Sequence, residues 1–225
     1  MDIRFEEAEA RFEKRLILHP LTLSLSERRI GVIGLNGSGK TTFVRMINGL
    51  VTPSSGRVSV NGFDTIKDAD RVRAETGFIF QNPQNQIILP ILKEDIALGL
   101  KSRKLSRELT DAAVEAVLSR FGIAHLADRR AHELSGGELQ LAALASVLVS
   151  KPGILIMDEP TNQLDLRNRN LVQFTIDGLE ESVIVISHDL DLVADFDRLL
   201  LFHQGRLAAD GNASDVISRY REIAA

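Results

Sequence analysis

The sequence predicts an α/β fold built around a phosphate-binding loop, and three features support that prediction. Residues 34–42 match the pattern G-x-x-x-x-G-K-[ST], and an apolar run at 30–33 leads into them. Further apolar runs at 154–157 and 183–186 have the length of buried strands, and each ends in polar or charged residues. Segments with helical spacing separate the runs. Buried strands that alternate with helices indicate an α/β sheet with a ligand site at the strand ends.

The first 25 residues predict an antiparallel β-layer. Apolar residues recur there with period-two character, and Leu21–Leu25 alternates cleanly. Phe12 lies between two of these stretches, flanked by Arg11 and Glu13. Its side chain could pack in the core or stack on an adenine ring, and the residues alone favour the core.

The loop at 34–42 carries the strongest indication of a binding site. Its glycines allow bare backbone N–H groups to surround an anion, and the helix predicted over about 43–50 directs its positive end at the same anion. Lys40 is expected to reach the β- and γ-phosphates of a nucleotide, and Thr41 to offer its hydroxyl to Mg²⁺. An ordinary glycine-rich turn is the alternative, and the flanking strand and helix count against it.

The middle of the chain predicts a strand over 57–62, a short helix over 68–75 and a strand over 77–80. That last strand ends at Gln81, in a polar loop at a position where ligands bind in open α/β sheets. From about 86 to 150 helical spacing predominates, and this segment is predicted to be an α-helical insertion between two halves of the α/β core.

Leu134–Glu138 opens a helix that is predicted to run to about Val149. This second glycine-rich helix start is a second candidate anion site. A simple helix cap is the alternative, and the residues alone favour the cap.

The strand at 153–160 ends in two adjacent carboxylates, Asp158 and Glu159. Successive side chains of a strand point in opposite directions, so the two cannot share one role. One could hold Mg²⁺ while the other faces a different target, such as an attacking water. A helix N-cap acid is the alternative, although buried carboxylates are costly unless a cation or hydrogen bonds compensate.

The last third of the chain predicts a helix over 167–179, a hairpin over 199–209 and a closing helix over 212–223. His188 follows the strand at 183–186. Polar groups therefore end three strands, at Gln81, Asp158/Glu159 and His188, and that coincidence favours one shared site.

Composition excludes some classes of protein. The net charge is −4, and no dense block of Lys and Arg indicates a nucleic-acid partner. Without cysteine there is neither a disulfide nor a thiolate metal site. The N-terminus lacks the apolar segment of a secretion signal, and the longest apolar-rich segment, 139–149, is far shorter than the ~20 residues that cross a bilayer. If the protein works at a membrane, a partner is expected to hold it there.

In order along the chain, these motifs resemble those of the ATP-binding cassette (ABC) ATPases over nearly the whole length. They are the Walker A loop Gly34–Thr42, the Q-loop Gln81, the signature Leu134–Glu138, the Walker B strand Ile154–Asp158 with Glu159, the D-loop Asp165 and the H-loop His188. The resemblance implies one ABC ATPase domain over 1–225. Within it, a P-loop NTPase (RecA-like) core with an antiparallel β-subdomain comprises 1–85 and 151–225, and an inserted α-helical subdomain comprises 86–150.

The resemblance also implies roles at the nucleotide. Phe12 is implied as the aromatic that stacks on adenine, which reverses the preference for core packing. Phosphate binding is implied for Asn36, Gly37, Ser38, Gly39, Lys40, Thr41 and Thr42. Mg²⁺ binding is implied for Thr41, Gln81 and Asp158.

Catalysis is implied for Glu159, as the base that orients the attacking water, together with Lys40, Gln81 and the γ-phosphate contact His188. The signature residues Ser135, Gly136 and Gly137 are implied to bind the ATP of an opposite subunit. The active unit would then be a head-to-tail dimer, formed by a second copy or by a paralogous ATPase.

Phe80–Gln86 is similar to the Q-loop of energy-coupling-factor (ECF) ATPases, which import vitamins or transition-metal ions. That similarity implies a transmembrane coupling subunit and a substrate-binding membrane subunit as partners, a location at the cytoplasmic face of the membrane, and biotin or a Co/Ni ion as cargo. A soluble ABC ATPase of cluster assembly or DNA maintenance is the alternative. A non-hydrolysing scaffold is a third hypothesis, against which the presence of Glu159 and His188 counts.

Overall fold

The structure, a computed structural model, describes residues 1–225, which divide into two compact units. Unit 1 comprises Met1–Gly77, Gly153–Glu159 and Glu181–Ala225. Unit 2 comprises Phe78–Pro152 and Pro160–Glu180. Unit 2 is therefore wider than the 86–150 segment that the helical spacing marks, because it also takes in the polar loop at 81–86 and the helix after Asp165.

The elements follow the order that the sequence predicts, with small shifts of their ends. The strands are β1 (Ile3–Phe12), β2 (Arg15–Leu25), β3 (Arg29–Ile33), β4 (Ser55–Val60), β5 (Phe63–Asp64), β6 (Thr76–Ile79), β7 (Ile154–Asp158), β8 (Ser182–Ile186), β9 (Arg198–His203) and β10 (Arg206–Gly211). The α-helices are α1 (Lys40–Ile47), α2 (Ala69–Glu75), α3 (Leu92–Leu98), α4 (Arg107–Arg120), α5 (Gly136–Leu148), α6 (Leu166–Asp177), α7 (Leu190–Val193) and α8 (Ala213–Ala224). The sequence did not predict the one-turn helix α7.

A four-stranded sheet with the order β2-β1-β4-β5 forms the predicted antiparallel layer. Ile3 pairs with Leu25, and both side chains are buried. Successive residues of a strand point to opposite faces, so the polar residues that alternate with Ile3 and Leu25 lie on the other face. Phe12 ends β1 and is 75% exposed, so the core packing that the residues alone favoured is wrong, and the adenine-stacking role implied by the resemblance stays a prediction.

A six-stranded sheet has the order β10-β9-β3-β8-β7-β6. β3 pairs in parallel with both β8 and β9, and β7 pairs in parallel with β8. The apolar runs at 30–33, 154–157 and 183–186 are buried throughout, as strands covered on both faces require. The parallel order brings the carboxyl ends of β3, β7 and β8 to one edge, where the loop at 34–39 begins.

Three aromatic rings in series hold α1 between β1 and β9. The ring of Phe43 in α1 lies 4.8 Å from that of Phe5 in β1 and 4.8 Å from that of Phe202 in β9, measured between centroids. All three side chains are buried. The helix that follows the phosphate loop is therefore packed from both sides, which fixes the loop at its N-terminus.

Unit 2 is organised around α5, which is apolar on nearly every side and packs against α3, α4 and α6. Within the predicted helical segment, α4 buries Val114, Val117 and Leu118, whereas Leu109 near its start is 59% exposed. Across the chain, no helix is both long enough and apolar enough to span a bilayer.

Arg198 joins three segments of unit 1, and its removal is expected to destabilise the protein. Its guanidinium lies 3.0 Å from Glu27 Oε1 and 2.6 Å from Asp210 Oδ1, and it donates to the carbonyl oxygen of Ser24. We expect Arg198→Met to lower the free energy of unfolding by about 1–2 kcal/mol, because two partly buried carboxylates lose their partner. Urea unfolding measures the loss, and Arg219→Met, which breaks an exposed pair with Glu222, is the matched control.

The same network makes the loss depend on pH. Burial alone would raise the pKa of Glu27, but the N–H groups of Ser26 and Glu27 and the charge of Arg198 outweigh it, so the pKa lies below its ordinary value. A lowered pKa contributes stability above the unfolded-state value, and the contribution is lost as the pH falls through the folded-state value. The difference between wild type and Arg198→Met should therefore shrink below about pH 4. A difference that grows in acid would contradict this assignment.

Candidate functional site

The loop between β3 and α1 has the backbone of an anion cradle. Gly39 precedes α1 with φ 101°, and no side chain caps the helix, so the first-turn N–H groups have no partner within the helix. Gly34 has φ 143°, and a Cβ there would overlap the carbonyl oxygen of Phe202. Gly37 has φ 74° with open space around it. The glycines thus serve two needs, since Gly34 allows close packing and Gly37 keeps the outer side of the loop open.

Ser38 adds an unpaired donor to this cradle. Its hydroxyl is buried and has no hydrogen-bond partner, while its carbonyl oxygen accepts from the N–H of Gly205 at 3.0 Å. A buried hydroxyl without an acceptor is costly. A phosphate oxygen in the loop would satisfy it, so the loop fits the phosphate groups of a nucleotide on this ground as well as by its pattern.

Lys40 is buried and bonded to its own loop. Its Nζ donates to the carbonyl oxygens of Gly34, at 2.7 Å, and Leu35, at 3.0 Å. Burial lowers its pKa, and the charges of Glu159 and Asp158 oppose that shift. An ammonium has three N–H donors, so one remains for a phosphate oxygen while the other two hold the side chain across the loop.

Asp158 faces α1. Its Oδ1 accepts from the Thr41 hydroxyl at 3.3 Å, and its Oδ2 lies 4.0 Å from the guanidinium of Arg45. Burial raises the pKa of Asp158, and Arg45, Thr41 and Lys40 act against that rise. Sequence reasoning missed Arg45, although its spacing of four from Thr41 places both on one face of the helix.

The pair Thr41 and Asp158 fits a magnesium ion that binds together with a nucleotide. Mg²⁺ usually takes one or two carboxylate or hydroxyl oxygens, with phosphate oxygens and water completing its octahedron. The chain has no group of three or more His, Cys, Asp or Glu side chains that could hold a metal alone. Phosphate oxygens would have to supply the remaining ligands.

Glu159 faces β8 instead, in keeping with the predicted divergence of the two carboxylates. Its N–H donates to the carbonyl oxygen of Ile186 at 3.0 Å, and its Oε2 accepts from the N–H of His188 at 3.1 Å. Glu159 has φ 55°, a conformation that costs a non-glycine residue about 1–3 kcal/mol. Packing therefore holds the carboxylate in a direction that the strand would not otherwise give it.

One oxygen of Glu159, Oε1, lies buried beside the imidazole of His188. Oε1 is buried and accepts no hydrogen bond, although Nε2 of His188 lies 3.0 Å away, within ion-pair distance when the imidazole is protonated. The His188 side chain is 43% exposed, so it can reach a ligand. A carboxylate with a free oxygen beside an accessible imidazole can accept a proton from water.

The signature turn begins α5 with a capping box. The Ser135 Oγ accepts from the N–H of Glu138 at 3.4 Å, and the Glu138 carboxylate accepts from the Ser135 N–H at 2.8 Å and from its hydroxyl at 2.6 Å. These bonds hold the pKa of Glu138 below its usual range. The predicted cap is thus present, but it uses neither the N–H of Gly136 nor that of Gly137. Ser135 and Gly136 are exposed, whereas Gly137 is buried.

The predicted site residues fall in both units. Unit 1 brings together Lys40, Thr41, Asp158, Glu159 and His188, and also contains Phe12, which makes no ring contact or hydrogen bond with them. Unit 2 contains Gln81, which is exposed, and the signature turn.

Comparison with known proteins gives matches along the whole chain. A family model described as ABC transporter matches residues 18–162. The chain is 65% identical to the biotin transport ATP-binding protein BioM of Rhizobium etli over 225 residues, the full length of both proteins. It is 36% identical over 201 residues to the energy-coupling factor transporter ATP-binding protein EcfA1 of Halalkalibacterium halodurans, covering 87% of this chain and 72% of that protein. Among solved structures, CbiO1 from Clostridium perfringens, part of the ABC transporter complex CbiONQ, matches with a TM-score of 0.86 at 29% identity, covering 98% of this chain and 92% of that one.

Proposed function

The chain belongs to the ABC transporter family, and from that premise we propose that it is the ATPase motor of an energy-coupling-factor importer of biotin. Members of this family bind ATP and couple its hydrolysis to transport, and the P-loop NTPase fold agrees with that activity. The observation that carries the choice of cargo is the 65% identity, from end to end, with a biotin transport ATP-binding protein.

The geometry of unit 1 supports a division of labour at the γ-phosphate. The loop amides, Ser38 and Lys40 would bind the phosphates, and Thr41 and Asp158 would hold Mg²⁺, which neutralises phosphate charge. Glu159 would accept a proton from the attacking water through its free Oε1. His188 would contact the γ-phosphate. Positioning and charge neutralisation do most of the work in phosphoryl transfer, and a positioned base adds about 10²–10⁴-fold.

The exposed signature turn supports a dimer. Ser135 and Gly136 lie in solvent at the start of α5, where the cap leaves the N–H of Gly136 unused, and a helix N-terminus suits an anion. We propose that this turn completes the phosphate site of a second molecule, which is either another copy or a paralogous ATPase. ATP would then join the two molecules, and loss of the γ-phosphate would weaken the contact between them.

An apolar groove in unit 2 supports attachment to a membrane subunit. The groove has a volume of about 440 Å³ and is lined by Gln84, Ile87, Ile88, Leu89, Pro90, Ala131, His132 and Leu139. The buried Asp95 fixes its edge, because its Oδ1 accepts from the N–H groups of Ile88 at 2.7 Å and Leu89 at 2.8 Å. Ile88 nevertheless leaves 75% of its surface exposed. A rigid, exposed apolar edge suits a helix of a transmembrane coupling subunit, and the protein would then lie at the cytoplasmic face of the membrane.

We predict that Ile88→Asp lowers uptake of labelled biotin by cells at least about tenfold, because a charge cannot enter an apolar interface without loss of binding. Hydrolysis of ATP by the isolated protein should stay within about twofold of wild type, because Ile88 lies outside both the phosphate loop and the signature turn. The tagged protein should also lose its co-purifying integral-membrane subunits. Leu109→Asp, which changes another exposed apolar residue, on α4, is the matched control.

Three outcomes would contradict the proposal. Uptake of cobalt or nickel, but not of biotin, would contradict biotin as the cargo while agreeing with the role as a transport ATPase. Equal uptake by Ile88→Asp and wild type would remove the groove from the interface. Co-purification of the wild type with a soluble scaffold alone would favour the soluble ABC ATPase instead.

A further inference from the structure

We propose that Asn168 of α6 is a positioning residue for the signature turn, and that Asn168, not the nucleotide, requires glycine at position 137. The inference rests on the proposed role of that turn in ATP hydrolysis. It assigns a function to a residue that belongs to none of the motifs.

Gly137 is not required by its backbone conformation. Its φ lies outside the left-handed region, in contrast to Gly34, Gly37 and Gly39, so an L-residue could adopt the same backbone. Gly137 is also buried, whereas its neighbours Ser135 and Gly136 are exposed. The need for glycine must therefore come from what packs against its Cα.

Asn168 occupies the space that a side chain at 137 would need. A Cβ there would overlap the Asn168 amide oxygen and would lie 2.6 Å from its Cγ and 3.1 Å from its Cβ. A rotation about χ1 could move the amide but not the Cβ, which is itself too close. The adjacent Gly136 differs, since a Cβ there would meet only Cδ2 of Leu164, at an ordinary 3.5 Å.

Asn168 cannot easily withdraw, because its backbone is held at the start of α6. Its N–H donates to Oδ1 of Asp165 at 2.8 Å, and the N–H of Arg169 donates to the Asp165 carbonyl oxygen at 2.8 Å. Asp165 is the N-cap of α6. The D-loop residue thus fixes the first turn of α6, and that turn fixes the start of α5 through the contact of Asn168 with Gly137. A shift of this contact would re-aim the N–H groups of the signature turn.

The test is a set of paired variants. We expect Gly137→Ala to lower ATP turnover by about tenfold or more, because misplacing a positioned group by about 1 Å can cost about 10²-fold in rate. Combining it with Asn168→Ala should restore part of the turnover, since one Cβ remains in the way. Combining it with Asn168→Gly should restore turnover to within about threefold of Asn168→Gly alone. Asn168→Gly alone serves as the reference, because it measures how far glycine at position 168 weakens α6 by itself.

Two measurements separate positioning from folding. ATP affinity measured at protein concentrations where the chain is monomeric should be the same in all variants, because none of the substitutions lies in the phosphate loop. The changes should therefore appear in kcat and not in binding. Gly137→Ala with Leu164→Ala is the matched control, and it should show no rescue because Leu164 faces Gly136. Absence of rescue by Asn168→Gly, with all variants folded, would show that glycine is needed for the nucleotide and would overturn the inference.

A thermal unfolding cycle on wild type, Gly137→Ala, Asn168→Gly and the double variant keeps this result distinct from failure of the proposed function. If the signature turn had no part in hydrolysis, Gly137→Ala would leave turnover unchanged while the melting temperatures still showed coupling between 137 and 168. Coupling in both melting temperature and turnover supports the inference. Additive melting temperatures would show that the two residues do not constrain one another and would overturn it.

Discussion

Replacing Glu159 with Gln is expected to lower ATP turnover by about 10²–10⁴-fold, the usual contribution of a positioned general base. The substitution keeps the shape of the side chain, so the carbonyl oxygen of Gln can still accept from the N–H of His188 as Oε2 does at 3.1 Å. What is lost is the free carboxylate oxygen, Oε1, that can take a proton from water. The backbone at φ 55° stays strained in both proteins, so the comparison isolates the charge and its basicity.

The variant should also accumulate the ATP-bound dimer, because nothing removes the γ-phosphate that is proposed to join the two copies. Size-exclusion chromatography with magnesium and ATP measures the dimer, and release of labelled phosphate measures turnover. Glu115→Gln, on the exposed face of α4, is the matched control and should behave as wild type. Turnover of Glu159→Gln within about tenfold of wild type would remove Glu159 from the role of base.

How far the sequence predicts this molecule depends on whether a feature is set locally or by tertiary contact. The buried strands β3, β7 and β8 follow from continuous apolar runs and were predicted to within about two residues. The helix after the glycine loop was predicted from about residue 43, whereas α1 begins three residues earlier, at Lys40. The helix ends earlier than its apolar spacing suggests, at Ile47, because Asn48 and the left-handed Gly49 stop it and leave Leu50 exposed.

Features that depend on distant segments were not predicted. The contact of Asn168 with Gly137 joins residues 31 positions apart, and no pattern within either helix marks it. The free oxygen of Glu159 depends on how β7 and β8 pair, because the strand pairing places Ile186 and His188 beside it. Phe12 shows the same limit in another form, since the residues alone favoured the core although Phe12 ends its strand in solvent.

Lys40→Ala should weaken ATP binding by about 10–100-fold, the loss expected when a hydrogen bond from a charged group is removed. Lys40 donates two of its three N–H groups to the carbonyl oxygens of Gly34 and Leu35. The variant therefore loses the third donor and both hydrogen bonds within the loop. Isothermal titration with a non-hydrolysable ATP analogue measures the change. Unchanged affinity would show that the amides and Ser38 alone hold the phosphates.

The same variant can decide whether a complete site needs two molecules. Gly136→Asp should abolish the function of the signature turn, because the carboxylate repels phosphate. The fold should stay intact, because a Cβ at this position has room beside Leu164 and an acidic side chain is favourable at a helix N-terminus. Each variant alone should be inactive. In a head-to-tail dimer, a mixed pair combines the intact loop of one variant with the intact turn of the other.

An equal mixture should therefore recover about a quarter of wild-type activity, since random pairing makes half of the dimers mixed and each mixed dimer contains one complete site. A mixture no more active than its components would mean that the loop and the turn act within one molecule. Recovery that rises with total protein concentration would identify dimer formation as the source. That result would tie hydrolysis to the meeting of two copies, which is the step that a transport motor can convert into movement of its membrane partner.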